Sequence, residues 1–142
     1  MIGLVISVHV LGMYAFSPLV GALSDKLGRI RVIQIGIAIL IASAVIAGLS
    51  PAMNTISLGI GLFLLGLGWS CTLIAGSTLL SESVSVEMKP SSQGASDLVM
   101  NLMGALGGAA SGIIIGLLSF GWLCFFVGSL VLILGISSLK IK

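Results

Sequence analysis

The sequence has very few charged residues. Six Lys and Arg and four Asp and Glu make up only 7% of its 142 residues, whereas about 25% of residues are charged in soluble proteins. Hydrophobic residues account for 58% and the mean hydropathy is +1.30. So little charge excludes an ordinary water-soluble domain, and we expect a membrane protein.

Other scarce residues exclude further classes. Six cations are too few for a nucleic-acid surface. Cys71 and Cys124 are the only cysteines and both lie inside apolar runs, so neither a disulfide framework nor a metal site is expected, and no cofactor is implied. The first cation, Lys26, follows an apolar run that is too long for a cleaved signal peptide, so this segment is expected to remain.

Long uncharged apolar runs are abundant. Because about 20 helical residues cross the hydrocarbon layer, these runs predict five transmembrane helices over residues 1–24, 32–49, 56–81, 92–118 and 122–139. The predicted fold is an all-α polytopic membrane protein with a single membrane domain over residues 1–142. Since the first run starts without a polar flank and the helix number is odd, we expect the chain to be a fragment of a longer protein.

The cations follow alternate helices and so predict orientation. The first, third and fifth helices are followed by Lys26, Arg29 and Arg31, by Lys89, and by Lys140 and Lys142. The turns at 50–55 and 119–121 contain no cation. By the positive-inside rule all six cations lie on the cytoplasmic face, which predicts an inner-membrane protein with its carboxyl end in the cytoplasm.

The segment after the first apolar run, residues 21–31, reads GALSDKLGRIR and is expected to be the tight loop of a membrane hairpin. Its key residues are Gly21, Asp25, Lys26, Gly28, Arg29 and Arg31. Gly21 allows close helix approach, and Gly28 permits a sharp turn. Asp25 can accept hydrogen bonds from the amino terminus of a neighbouring helix, while the cations face anionic lipid or carboxylates. An ordinary positive-inside loop would explain the cations but not the glycine and aspartate spacing.

This pattern, G-x-x-x-D-K-x-G-R, resembles the major facilitator superfamily, whose cytoplasmic loops between helices two and three, and often eight and nine, carry G-x-x-x-D-[RK]-x-G-R-[RK]. The sequence departs from it at Ile30, which replaces a basic residue. The third predicted helix lacks the arginine, and the fourth the G-x-x-x-G-P-x-x-G pattern, usual in the first half of such proteins. With HVLGMYAFSPLVG and QGASD, the chain resembles helices eight to twelve of a bacterial drug-efflux-like member.

The resemblance implies secondary transport of small molecules by alternating access, in the form of proton-coupled efflux, and no enzymatic activity. The loop would be a conformational latch that stabilises the outward-facing state. The implied partners are the lipid bilayer, a small-molecule substrate, protons and a missing N-terminal helix bundle that carries the receptor for Asp25. An alternative is a small non-transporting membrane subunit that packs against a partner through its fourth helix.

The fourth predicted helix combines a glycine face with a polar stripe. The candidate packing glycines, at a spacing of four, are Gly104, Gly108, Gly112 and Gly116. Gln93, Asp97 and Asn101 continue that face toward the cytoplasmic end. Because an intramembrane carboxylate is costly, Asp97 is a candidate for the proton or substrate pathway together with Asn101. The alternative is an interfacial cap or a salt-bridge partner.

The first and third predicted helices contribute two more candidates for this pathway. His9, the only histidine, carries an imidazole, which is a side chain suited to proton coupling, but it could equally bond a neighbouring helix. Trp69 could line a cavity, whereas Trp122 lies at a predicted boundary and suits an interface anchor. Pro18 should kink the first helix.

One enzymatic hypothesis is disfavoured. Ser111 and His9 resemble the dyad of intramembrane serine proteases, but in that family the histidine follows the serine in the chain, whereas here it precedes it. We therefore expect no catalytic residues.

Overall fold

The computed structural model describes residues 2–51 and 54–139. Its α-helices are α1 (Ile2–Tyr14), α2 (Ser17–Leu27), α3 (Arg29–Gly48), α4 (Thr55–Ser83), α5 (Lys89–Leu117) and α6 (Phe120–Ser138). A short 3₁₀ turn, Val86–Met88, precedes α5. With α1 and α2 forming one span, five spans are long and apolar enough to cross a membrane, which confirms the all-α polytopic fold.

The first span is broken, whereas a single helix over residues 1–24 was expected. α1 ends at Tyr14, a turn covers residues 15 and 16, and α2 begins at Ser17 with Pro18 in its first turn. A proline has no N–H to donate, and its ring clashes with the carbonyl four residues earlier, here that of Tyr14. The interruption therefore lies where proline chemistry requires it, and α2 then continues to Leu27.

The connection between the first two spans is far shorter than the predicted loop over residues 21–31. α2 includes Asp25 and Lys26, and Gly28 alone separates it from α3. Gly28 has φ +90° and ψ 152°, a backbone conformation that L side chains rarely adopt. The expected role of Gly28 as the turn residue therefore agrees with the structure, but the surrounding segment is helical.

The third predicted helix and the polar loop after it also differ in their bounds. α4 extends to Ser83 and α5 begins at Lys89, so only residues 84–88 connect them, whereas the predicted helices end at residue 81 and begin at residue 92. Pro90 lies in the first turn of α5, where its missing N–H leaves no helical bond unmade. Glu82 consequently belongs to the last turn of α4.

α4 lies between α1 and α3, and glycines bring the three backbones close. A Cβ added at Gly66 would overlap the carbonyl oxygen of His9 in α1, and one at Gly68 would lie 3.0 Å from the Gly36 carbonyl oxygen in α3. Such approaches exclude any larger residue. Where α2, α3 and α4 meet, a buried apolar cluster forms from Val20, Val32, Cys71 and Ala75.

The last two helices are placed differently from each other. α6 packs against α3, with Cys124 on Gly48 and Gly135 on Ile37, so the two helices run antiparallel. α5 contacts α4 and α6 but has no buried residue. We use "charged end" for the end of the bundle where α2 meets α3 and where α4 ends. Lys140 and Lys142, predicted for the same side, lie outside the described residues.

Candidate functional site

Arg29 joins three helices at the charged end. Its Nη2 donates to Oε1 of Glu82 over 2.8 Å and its Nε donates to Oε2 over 3.3 Å, which makes a two-pronged contact with α4. Its Nη1 donates to Oδ1 of Asp25 in α2 over 2.5 Å. The Arg29 side chain is 20% exposed, and those of Asp25 and Glu82 are 71% and 52% exposed. The guanidinium of Arg29 thus binds two carboxylates at once. Its planar arrangement of N–H donors favours such contacts.

The local sequence explains how these groups meet. Asp25 lies in the last turn of α2 and Arg29 is the first residue of α3, so the two are separated by four positions across the Gly28 turn. Gly28 allows α3 to begin without an intervening loop. Glu82 approaches from the last turn of α4, 53 residues away in the chain. The site therefore consists of a pair close in sequence, Asp25 and Arg29, that binds a residue of α4 far away in the sequence.

Glu82 was not among the residues predicted from the sequence. The available signal was weak: it is one of only four acidic residues and follows the third apolar run, on the same side as the motif. Within the described chain Asp25 pairs with Arg29, and its predicted contact with the amino terminus of a helix in the N-terminal bundle stays a prediction.

The remaining motif residues are not drawn into this contact. A Cβ at Gly21 would meet nothing within 4 Å, so the close helix approach expected there does not occur between described residues. Lys26 and Arg31 are exposed, and neither forms an ion pair with any residue that the structure describes. Of the three cations at this turn, Arg29 alone is neutralised by carboxylates.

His9 ties α1 to α4. Its Nδ1 lies 2.8 Å from the carbonyl oxygen of Leu62. Because a carbonyl oxygen only accepts, Nδ1 must carry the proton and donate it, which leaves Nε2 as the second ring nitrogen for any further partner. The structure therefore supports the interhelical bond that was the alternative to a transport role, and it leaves the transport role a prediction.

Two further contacts join the first span to α4. The ring of Trp69 meets that of Tyr14 edge to face, with centroids 6.3 Å apart. The hydroxyl oxygens of Ser17 and Ser70 lie 3.4 Å apart. Trp69 is thus part of a helix interface, and its predicted place in a transport pathway is untested by these contacts.

The polar stripe of α5 is open. The side chain of Asp97 is exposed and makes no hydrogen bond or ion pair within residues 2–51 and 54–139, while its backbone carbonyl accepts from the side-chain amide of Asn101 over 2.8 Å. A Cβ added at any of the predicted packing glycines would meet nothing within 4 Å; these are Gly104, Gly108, Gly112 and Gly116. The predicted packing face therefore contacts no other described helix.

A serine–histidine dyad does not form. The hydroxyl of Ser111 donates to the carbonyl oxygen of Gly108 over 2.8 Å, within its own helix. His9 is engaged with Leu62. No hydrogen bond joins the two side chains within the part of the chain that the structure describes.

Comparison with known proteins decides the family. The sequence model of the Major Facilitator Superfamily matches residues 1–141. The chain belongs to the major facilitator superfamily. The Arg29 contact with Asp25 therefore lies within the segment whose spacing resembles the loop motif of this superfamily.

Two curated superfamily proteins are similar to the chain, both uncharacterized MFS-type transporters of Bacillus subtilis (strain 168). YddS is 39% identical over 114 residues, which cover 80% of this chain and 26% of YddS. YdeG is 41% identical over 134 residues, which cover 94% of this chain and 31% of YdeG. The chain thus spans less than a third of the length of these relatives. No solved structure matches it.

Proposed function

We propose that the chain is part of a secondary transporter that moves small molecules across the cytoplasmic membrane by alternating access. The observation that carries this proposal is the Arg29 contact, which fastens α2 and α3 to α4 at one end of the bundle. Support for transport comes from the superfamily match and from two relatives named as transporters. These observations favour a transporter over an enzyme.

The Arg29 contact is suited to act as the latch. The carboxylates of Asp25 and Glu82 are more than half exposed, so both stay hydrated when their ion pairs with Arg29 break and re-form. While they are intact, the ends of three helices are held together. Rocking of the bundle between two conformations would open them on one side of the membrane.

The charged end is proposed to face the cytoplasm. Lys26, Arg29, Arg31 and Lys89 all lie at this end, where α2 meets α3 and α4 leads into α5. The positive-inside rule assigns such an end to the cytoplasmic side. The carboxyl end of α6 lies at the same end, because α6 runs antiparallel to α3, and it would be cytoplasmic as well.

Proton coupling and efflux complete the proposal. His9 and Asp97 are the titratable side chains within the spans that suit proton transfer, and Asn101 lies one helical turn from Asp97. The few polar groups along the helices favour amphipathic or hydrophobic substrates. The open face of α5 is proposed to meet the N-terminal helix bundle, which the length of the relatives supports.

The latch is tested in the intact carrier by removing one charge at a time. We expect Arg29→Gln and Glu82→Gln each to change the rate of dye efflux from loaded cells by about fivefold or more. A fivefold change is the lower end of the range that typical coupling free energies produce. Arg29→Lys should recover part of the loss, because it restores the charge without the two-pronged contact.

Arg31→Gln is the matched control, since it removes an exposed cation that forms no ion pair with a described residue. Equal effects of Arg29→Gln and Arg31→Gln would mean that net charge, and not the latch, matters. Efflux that persists unchanged after the pH gradient is dissipated would contradict proton coupling, whatever the result for Arg29.

A second candidate function is a non-transporting membrane subunit. The observation that favours it is the open glycine face of α5, which is suited to close contact with a helix of a partner protein. It predicts that the chain purifies in mild detergent as a stable complex that Gly108→Leu disrupts. Recovery of the chain alone, with unaltered behaviour of the variant, would exclude it.

A further inference from the structure

An apolar groove opens on the side of the bundle between α2 and α3, with α4 as its floor. Its volume is about 420 Å³. The walls carry Leu19 and Leu23 from α2 and Ile35 and Ile39 from α3, and Leu67 of α4 also contributes. Leu19 is 66% exposed and Ile35 is 39% exposed, so the groove is open to the surroundings of the helices.

The groove has the length of one membrane leaflet. Its lining along the first span begins at Phe16 and ends at Lys26, ten residue steps that correspond to about 15 Å of helix. The hydrocarbon core of a bilayer is about 30 Å thick. The apolar part of the groove therefore matches the depth that a single acyl chain occupies.

One cation lies at the end of the groove that is nearest the charged end of the bundle. Lys26 is the only charged residue in the lining, lies in the last turn of α2 and is exposed. It forms no ion pair with the described part of the chain, unlike Arg29 three positions later, which contacts two carboxylates. A lysine stem lies readily along apolar surface while its ammonium group reaches the membrane surface. An unpaired positive charge at the end of an apolar groove is complementary to an anionic headgroup joined to an acyl chain.

We propose that this groove binds an anionic phospholipid of the surrounding bilayer, with one acyl chain between α2 and α3 and the phosphate on Lys26. The site is separate from the latch, because Arg29, Asp25 and Glu82 do not line the groove. It requires neither substrate nor transport, so it can be tested by lipid binding alone.

The test uses the intact carrier, purified and reconstituted in vesicles of phosphatidylcholine that contain a small fraction of a phospholipid with a photoreactive acyl chain. Phosphatidylglycerol is compared with phosphatidylcholine, and cross-linked peptides are identified by mass spectrometry. We expect phosphatidylglycerol to label the α2 and α3 segments about fivefold more than phosphatidylcholine does. This factor corresponds to the attraction between one lysine and an anionic lipid headgroup.

Lys26→Gln should remove this preference, and Lys26→Arg should retain it. Lys89→Gln is the control, because it removes a cation that lies near the same end of the bundle but does not line the groove. Ala22→Phe, which places a ring in the groove, should reduce labelling by both lipids. Equal labelling by the two lipids, or a preference that survives Lys26→Gln, would overturn the proposal. Labelling by neither lipid would also overturn it, since another protein segment would then cover the groove.

Discussion

α4 and α5 are the two longest helices, each of 29 residues and each rich in glycine, yet they are used in opposite ways. α4 buries Gly61, Gly66 and Gly68 against α1 and α3. α5 has no buried residue, and its glycines face open space. The glycines of α5 have the more regular spacing, but those of α4 make the close contacts. Glycine spacing therefore indicates that a helix face is suited to close packing, and the neighbouring helices decide whether it is used.

The comparison also separates two kinds of polar side chain. In α4 and its neighbours, polar groups connect helices: Ser43 of α3 donates to the Gly61 carbonyl over 2.8 Å, and His9 donates to Leu62. In α5, Ser111 and Asn101 bond only to the backbone of their own helix. Bonds of the first kind hold two helices together, whereas those of the second kind add no contact between helices.

The two helices are expected to differ most in how a glycine substitution changes the free energy of unfolding. Gly66→Ala would place a Cβ against the His9 carbonyl oxygen and 3.0 Å from the Met13 amide nitrogen, and we expect it to lower the free energy of unfolding by about 1–3 kcal/mol. Gly108→Ala meets open space and should leave it unchanged or raise it, because alanine is the better helix former. Unfolding of both variants by a denaturing detergent measures this. An equal loss would mean that α5 is as closely packed as α4.

A smaller difference in the free energy of unfolding is expected between serine substitutions that remove a bond between helices and those that remove a bond within α5. Ser43→Ala removes a buried hydrogen bond between α3 and α4, and comparable bonds in membrane proteins contribute about 0.6 kcal/mol on average and up to about 1.7 kcal/mol. Ser111→Ala removes only a bond within α5 and should have no measurable effect. The same unfolding measurement applies to both. A loss for Ser111→Ala that equals the loss for Ser43→Ala would refute the distinction drawn between the two helices.

The exposed end of α4 should contribute less to stability than its buried middle. Arg29→Gln breaks the contacts with Asp25 and Glu82, and we expect a small loss that disappears at high salt, because exposed ion pairs are screened. Arg31→Gln, which removes an exposed cation without an ion pair in the described chain, is the control. A large, salt-independent loss for Arg29→Gln would show a structural tie rather than a latch.

The smallest effect on the free energy of unfolding is expected for a substitution of Asp97. Because its side chain is exposed and bonds to no described residue, Asp97→Asn should leave the unfolding of the chain unchanged, while proton-coupled efflux by the intact carrier should fall. Destabilisation by this variant would reveal a contact of α5 that the described helices do not make. Unchanged efflux would remove Asp97 from the proposed proton pathway.

The spans could be predicted from the sequence because hydrocarbon leaves a backbone few alternatives to a helix. The break near Pro18 could also be anticipated, since proline chemistry is local. The length of the turn at Gly28 could not. The charges of Asp25 and Lys26 suggested a loop, yet both fit in the last turn of a helix whose end reaches the membrane surface.

The site was harder to predict because its parts are distant in sequence. The pair of Asp25 and Arg29 follows from a spacing of four, but the contact with Glu82 depends on how α3 and α4 pack, 53 residues apart. The same holds for the glycines, since no spacing rule distinguishes Gly66, which packs against α1, from Gly108, which faces open space. Local geometry was readable from the sequence, and interhelical geometry was not.

The two-residue interruption between α1 and α2 has a mechanical consequence. A continuous helix is stiff, so a tilt at one end displaces the other. Here the close contact of α1 with α4 at Gly66 lies on one side of the interruption, and Asp25 lies on the other. The interruption therefore divides the first span into two segments with separate contacts to α4, α1 at Gly66 and α2 through Val20 of the buried cluster, so each segment can take its own tilt.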